Sequence, residues 1–288
     1  MAYNTILVAV DGLEGSACAV ETAFDLASRF ASHLTALHVR PDPKDTIPLL
    51  GEGMSVAMIE DMVRIAEDES QDRSQRARKK FDSCVSELGF TLSDTPGAVP
   101  PSAAWHEERG REDDVAARFG RLSDLIVACR PGNDADVSQT LTLNSALFDT
   151  GRPVLVVPPQ DSVRKIGRRI VVSWNGSAQA ARAIGMAMPL LREAEDIMVF
   201  TVGMDVADHD PALDLASYLA WHGLKCSTRT LPGKRSIVGA DLLEEAHGFD
   251  ADLLVMGAYT HSRMRQLILG GVTRHVLESA QLPLFMAH

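Results

Sequence analysis

An α/β fold of two tandem doubly wound parallel-sheet domains is the architecture this sequence predicts. Three observations carry it. The chain is written twice: Ile6-Leu-Val-Ala-Val-Asp11-Gly12 aligns with Ile170-Val-Val-Ser-Trp-Asn175-Gly176, and Ala19-Val20 with Ala183-Ile184. Further on, Asp124-Leu-Ile-Val127 aligns with Asp252-Leu-Leu-Val255, and Pro153-Val-Leu-Val with Pro283-Leu-Phe-Met. Repetition of whole units is read before anything else, because it decides the architecture. Short apolar runs alternate with longer stretches at helical spacing, the pattern of strands and crossover helices. Strands that are apolar throughout belong to a parallel sheet covered on both faces.

In the first half, Thr5–Val10 is an apolar, β-branched run too short for a helix. From Ser16 to Phe30, apolar residues recur at Ala19, Ala23, Leu26, Ala27 and Phe30, one face of a helix. Leu34–Val39 is a second strand, and a long charged helix is predicted over Val56–Leu88. A strand follows near Ala103–Glu107, a helix from about Asp113 to Phe119, a strand at Leu125–Cys129, a helix over Ser138–Phe148 and a strand at Val154–Val157. The second half repeats this order. Its strands are Arg169–Trp174, Ile197–Val202, Lys225–Leu231, Leu253–Gly257 and Leu284–Met286, with helices at Ala178–Leu191, Ala212–His222, Ile237–Ala246 and Val272–Ser279. Right-handed crossovers make each half a doubly wound sandwich.

The domains are read as residues 1–158, carrying an insertion around 40–90, and 168–288, joined by the Pro158–Gly167 linker. The first part of the insertion, Arg40 to Ala57, holds three prolines and two glycines. Each half ends in an apolar strand at a sheet edge, which needs a cover. The two halves are expected to supply it to each other as an intramolecular pseudo-dimer, with a further homodimer left open.

Bulk properties narrow the function. A net charge of −11 with no local Lys/Arg block argues against nucleic acid or an anionic membrane as partner. The basic run Arg76 to Lys80 follows acidic Glu67 to Glu69, as on a solvated helix face. The four cysteines, Cys18, Cys84, Cys129 and Cys226, are scattered with no C-x-x-C, so disulfides and structural zinc are not expected. The first residues run directly into a strand, and no apolar stretch approaches the roughly 20 residues that span a bilayer. A reducing, cytoplasmic setting is expected.

Ligands of open parallel sheets sit at the carboxyl ends of strands where strand order reverses. The candidates are Asp11-Gly12 and Cys129–Gly132 in the first half, and Asn175-Gly176 and Gly257–Thr260 in the second. Together with V-A-V-D-G-x-x-x-S-x-x-A at the start, G-R-P-V-L-V-V-P closing the first half and MGAYTHSRMRQLILGGVTRHVL from Met256, these residues resemble the universal stress protein family in its tandem form. The resemblance covers nearly the whole chain outside the insertion. It implies an adenine nucleotide alpha hydrolase-like fold and an ATP-responsive regulatory protein rather than an enzyme. In nucleotide-binding members a G-x2-G-x9-G-[ST] loop wraps the phosphates of ATP, and an Asp ending the first strand meets the adenosine.

The second half keeps part of that motif. Gly257 and Gly270 stand in place, whereas Thr260 replaces the second glycine and Gly271 the Ser or Thr. Threonine resists the φ > 0 backbone and close phosphate approach that glycine permits. Gly270 and Gly271 still precede a predicted helix, whose free amides and dipole favour an anion. Thr273 offers a hydroxyl, Arg263 a charged fork, and Asn175 a neutral acceptor where the family has Asp. The candidate nucleotide site therefore comprises Ser173, Asn175, Met256, Gly257, Thr260, Arg263, Gly270, Gly271, Val272 and Thr273. In the first half Asp11 is intact, but Cys129, Gly132, Thr140 and Leu141 occupy the motif and only Gly132 matches. That half is not expected to hold a triphosphate.

Plainer readings stand beside these. The glycines fit loop geometry without any ligand, and Asp11 is expected to make an Asx turn before the first helix. His261 and His275 read as surface or loop residues, His33 and His38 point to opposite faces of a strand, and no H-x-x-x-H or H-E-x-x-H pattern marks a metal site. Trp174 reads as packing, with stacking on a base as the other use, and no G-x-S-x-G nucleophile elbow occurs. The alternative function is an interaction scaffold that binds no nucleotide, with an unidentified protein partner in either case. An adenylating enzyme would need a phosphate-cradling loop that Asp11–Ser16, with acidic Glu14, hardly provides.

Overall fold

The computed structural model describes residues 2–41, 55–132, 137–159, 165–202, 210–231, 238–258 and 271–288. The fold is α/β with a mostly parallel sheet, and the chain divides into two compact units. One is built on Tyr3–Thr150, the other on Gly151–Pro158 with Arg164–His288.

The first unit holds strands β1 (Thr5–Ala9), β2 (His33–Arg40), β3 (Thr91–Leu92), β4 (Ser102–Arg109) and β5 (Leu125–Cys129) in the order β3-β4-β2-β1-β5. Their pairings are parallel. The chain steps outward from β1 through β2 to β4, then returns past β1 to β5, so strand order reverses between β1 and β5. Helices α1 (Ala17–Phe30), α2 (Val56–Leu88), α3 (Glu112–Gly120) and α4 (Val137–Asp149) accompany these strands.

The long helix α2 of the insertion is part of this unit's core. Ser70, Ser74, Ala77, Phe81 and Cys84, spaced three and four apart, form a buried stripe along it. Phe81 packs against Phe24 and Trp105 with ring centroids 5.7 and 5.6 Å apart. The flanks of this stripe carry ion pairs such as Arg78–Asp82 and Arg73–Glu69, as the alternating charges of the helix predict. Burial of Cys84 in this stripe pushes its thiol up to about 11, so it stays protonated at neutral pH.

The second unit holds β6 (Val154–Val157), β7 (Arg169–Ser173), β8 (Asp196–Val202), β9 (Ser227–Leu231), β10 (Leu253–Gly257) and β11 (Leu284–Ala287) in the order β6-β11-β10-β7-β8-β9. Its helices are α5 (Ala178–Glu193), α6 (Pro211–Trp221), α7 (Val238–Gly248) and α8 (Gly271–Ser279). Order reverses between β7 and β10, the counterpart of β1 and β5. Strand β6 closes the first repeat in sequence but groups with this unit, antiparallel to β11 through Leu155 opposite Phe285. All residues of both strands are buried, so each covers an apolar edge of the other.

The duplication extends to one half-buried polar device. Asp124, just before β5, accepts hydrogen bonds from the amides of Asn4 at 2.8 Å and Thr5 at 3.0 Å. Asp252, just before β10, accepts them from Gly167 at 2.7 Å, Arg168 at 3.0 Å and Arg169 at 3.2 Å. In both units a carboxylate thus ties the start of the first strand to the strand beside it. Hydrogen bonds to a charged group contribute about 1.5–3 kcal/mol in general, set at Asp252 against burial, which pushes its carboxyl above the usual range.

Candidate functional site

The reversal between β7 and β10 marks the carboxyl edge of the second unit's sheet as the candidate site. Val255 pairs with Val172, which puts Met256 and Ser173 one step further along, at adjacent strand ends. Helix α8 follows β10 and precedes the parallel strand β11, so it runs back along the sheet and begins at this same edge. Its first residue is Gly271, which is exposed and has open space where a side chain would stand. Half-buried Val272 follows it. The first amides of an α-helix have no acceptor within it, and nine residues are enough to align a dipole behind them. Ser173, Asn175, Met256, Gly257, Gly271, Val272 and Thr273 are therefore all placed at strand ends or helix starts of one edge. Thr260, Arg263, Gly270 and His261 lie outside the described residues.

Individual side chains have local duties here. Asn175 is exposed, and its side-chain oxygen accepts the Ser177 amide at 3.1 Å, an Asx turn. Ser177 then caps α5 by accepting the Ala180 amide at 3.1 Å. The Met256 side chain is buried in the core, so this residue can meet a ligand only through its backbone. Thr273 is buried as well. Gly257 has a packing duty: a side-chain carbon there would lie 2.5 Å from the Ala180 nitrogen and 2.7 Å from the Gln179 carbonyl carbon. The first turn of α5 rests directly on the end of β10, and only glycine leaves room for it. Trp174 is half-buried and continues the ladder by donating its amide to the Phe200 carbonyl at 2.9 Å. His275 fits against Gly239 where α8 meets α7.

The corresponding edge of the first unit is built differently. Asp11 accepts the Leu13 amide at 2.9 Å, the Asx turn expected of it, and its other oxygen accepts the side-chain amide of Gln139 from α4. Gly12 adopts φ +75°, and the main chain of α2 crosses it so closely that a side-chain carbon would come within 2.2 Å of the Arg73 carbonyl oxygen. Arg76 donates to the Gly12 carbonyl at 3.0 Å. The motif positions Thr140 and Leu141 fall inside α4, which begins at Val137, so their amides are not those of a helix start. Cys18 and Cys129 both point their thiols at the Gly15 carbonyl, at 3.3 and 3.2 Å. Contact with Cys18 and burial hold the Cys129 thiol far above its usual range. The insertion helix, Gln139 and the thiol pair thus engage the backbone and side-chain polar groups of this edge within the fold.

Sequence reasoning missed the roles of Asp124 and Asp252, Gln139 and Arg73. The repeated aspartate before the two matching strands was the visible signal for the first pair. For Gln139 and Arg73 no signal exists, since their partners are remote in sequence. Among the described residues, no group of three or more His, Cys, Asp or Glu is arranged to hold a metal ion, and no helix is long and apolar enough to cross a membrane. His38 and His33 are each tied within the fold, by the Val10 carbonyl at 2.6 Å and the Ser102 hydroxyl at 2.9 Å.

Comparison with known proteins brings these features together. The sequence pattern of the Universal stress protein family matches residues 2–118 and 234–288, more than half the chain. Among solved structures, the chain is similar to a universal stress protein from Archaeoglobus fulgidus DSM 4304, at TM-score 0.68 and 15% identity over 100% of this chain and 99% of that one. It is also similar to a putative universal stress protein from Pseudomonas aeruginosa UCBPP-PA14, at TM-score 0.60 and 16% identity over 99% of this chain and 93% of that one. At these identities the likeness is one of fold. A search of curated proteins finds no match.

Proposed function

The chain belongs to the universal stress protein family, and we propose that it is a regulatory protein of the stress response whose second unit binds ATP or a related adenine nucleotide. The observation that carries the reading is where α8 begins. Gly271 opens that helix at the reversal between β7 and β10, so its bare amides are presented where a doubly wound sheet receives ligands. The equivalent positions of the first unit lie inside a helix, and there Asp11 is engaged by Gln139 and Gly12 is crossed by α2. One nucleotide per chain is therefore expected. The proposed activity is binding, with ordering of the nucleotide site as the signal to a partner.

A second reading, an interaction scaffold that holds no nucleotide, is favoured by one observation. Gly257 is fully accounted for by its contact with α5, so its presence does not require a phosphate. Calorimetric titration of the full chain with magnesium ATP separates the two. A saturable isotherm with one site per chain is expected. Absence of heat and of dialysis retention at millimolar ATP would leave the scaffold.

A further inference from the structure

Two of the four cysteines are brought together by the fold of the first unit. Cys18 lies in the first turn of α1, and Cys129 is the last residue of β5. Both thiols point at one oxygen, the Gly15 carbonyl, at 3.3 and 3.2 Å, and they are in contact with each other. Cys18 is only 3% exposed, whereas Cys129 is half-buried. Beside Cys129 lies a cavity of about 50 Å³, lined also by Asp11, Gln139, Thr142 and Leu143. One water needs roughly 10–15 Å³, so a molecule of a few heavy atoms has room there.

The surroundings constrain what such a pair can hold. Contact with Cys18, burial and the Asp11 carboxylate all oppose a thiolate at Cys129, against a smaller opposite effect of Arg130. A soft monovalent cation held by two thiolates would leave one net negative charge beside Asp11. Among the described residues, no third His, Cys, Asp or Glu joins the pair as a metal ligand. A ligand that joins both sulfurs and leaves the site neutral meets these constraints, and trivalent arsenic is of that kind. Arsenous acid is uncharged at neutral pH and condenses with two thiols. Two S–H and two As–O bonds break, two As–S bonds form, and the lost hydroxyls leave as two waters. Arsenic stays trivalent, and no proton or electron is left over.

We propose that Cys18 and Cys129 form a dithiol site for a trivalent arsenical, with arsenous acid as its smallest occupant. The arsenic ties the start of α1 to the end of β5, and its remaining hydroxyl is left for the cavity beside Cys129. The proposal is independent of nucleotide binding in the second unit.

The test is equilibrium dialysis of the reduced full chain against arsenite, with bound arsenic measured by mass spectrometry. One arsenic per chain is expected. Cys18→Ser and Cys129→Ser are each expected to weaken binding by about hundredfold or more, because the second bond to sulfur is intramolecular and is lost with either thiol. Serine still offers the Gly15 carbonyl a donor, so melting temperatures close to that of the parent are expected. Cys226→Ser is expected to bind as the parent does. X-ray absorption by arsenic in the loaded parent chain, which involves no variant, is expected to show two sulfur neighbours and one oxygen. Absence of binding, parent-like affinity in the Cys18 or Cys129 variant, loss of binding in Cys226→Ser, or any other sulfur count would each overturn the proposal.

Discussion

Gly257→Ala is expected to destabilise the second unit by about 1–3 kcal/mol, the usual range for forcing an added methyl into a filled space. The new carbon would sit 2.5 Å from the Ala180 nitrogen, and the obstacle is main chain rather than a side chain that can swing aside. Relief requires the first turn of α5 to lift from β10, which also disturbs the Ser177 cap. Thermal unfolding with and without the substitution measures the effect. A melting temperature equal to that of the parent chain would remove the packing account of Gly257 and return the residue to a purely ligand-binding explanation.

The second large effect separates binding from folding. Gly271→Asp places a carboxylate in the first turn of α8, where no acidic residue now stands. A negative charge at a helix N-terminus is stabilising by about 0.3–1 kcal/mol. Folding is therefore expected to hold or improve, since Gly271 has open space around it. The same carboxylate faces the proposed polyphosphate, and repulsion of about 1.4 kcal/mol is a tenfold loss of affinity. The expected result is a melting temperature at or above that of the parent with ATP affinity lower by about tenfold or more. Equal affinity would show that the phosphates do not reach the start of α8.

Much of the fold was legible because strand and helix periodicities are local. Helix α2 and strands β5, β6 and β10 have the bounds that apolar spacing assigns them. Strand β4 extends to Arg109, beyond the apolar segment, because its polar end pairs along β2 as far as Arg40. Strand β3 escaped notice since two exposed residues show no alternation. The site was legible less evenly. The Asx turn of Asp11 follows from its own neighbours and was readable. The crossing of Gly12 by Arg73, the bond from Gln139 to Asp11 and the seat of α5 on Gly257 depend on residues brought together by the fold, and no spacing in the sequence announces them. For the same reason, glycines that match a ligand motif in sequence divide in space: Gly257 serves packing, while Gly271 stands open at a helix start.

The central claim concerns the amides at the start of α8, and nitrogen–proton correlation spectra of the labelled full chain observe them directly. Titration with magnesium ATP is expected to shift the Gly271 and Val272 resonances progressively to saturation, whereas adenosine at the same concentration, lacking phosphates, shifts them far less. Unmoved Gly271 and Val272 resonances at saturating ATP, or equal shifts from adenosine, would contradict a phosphate seat at this helix.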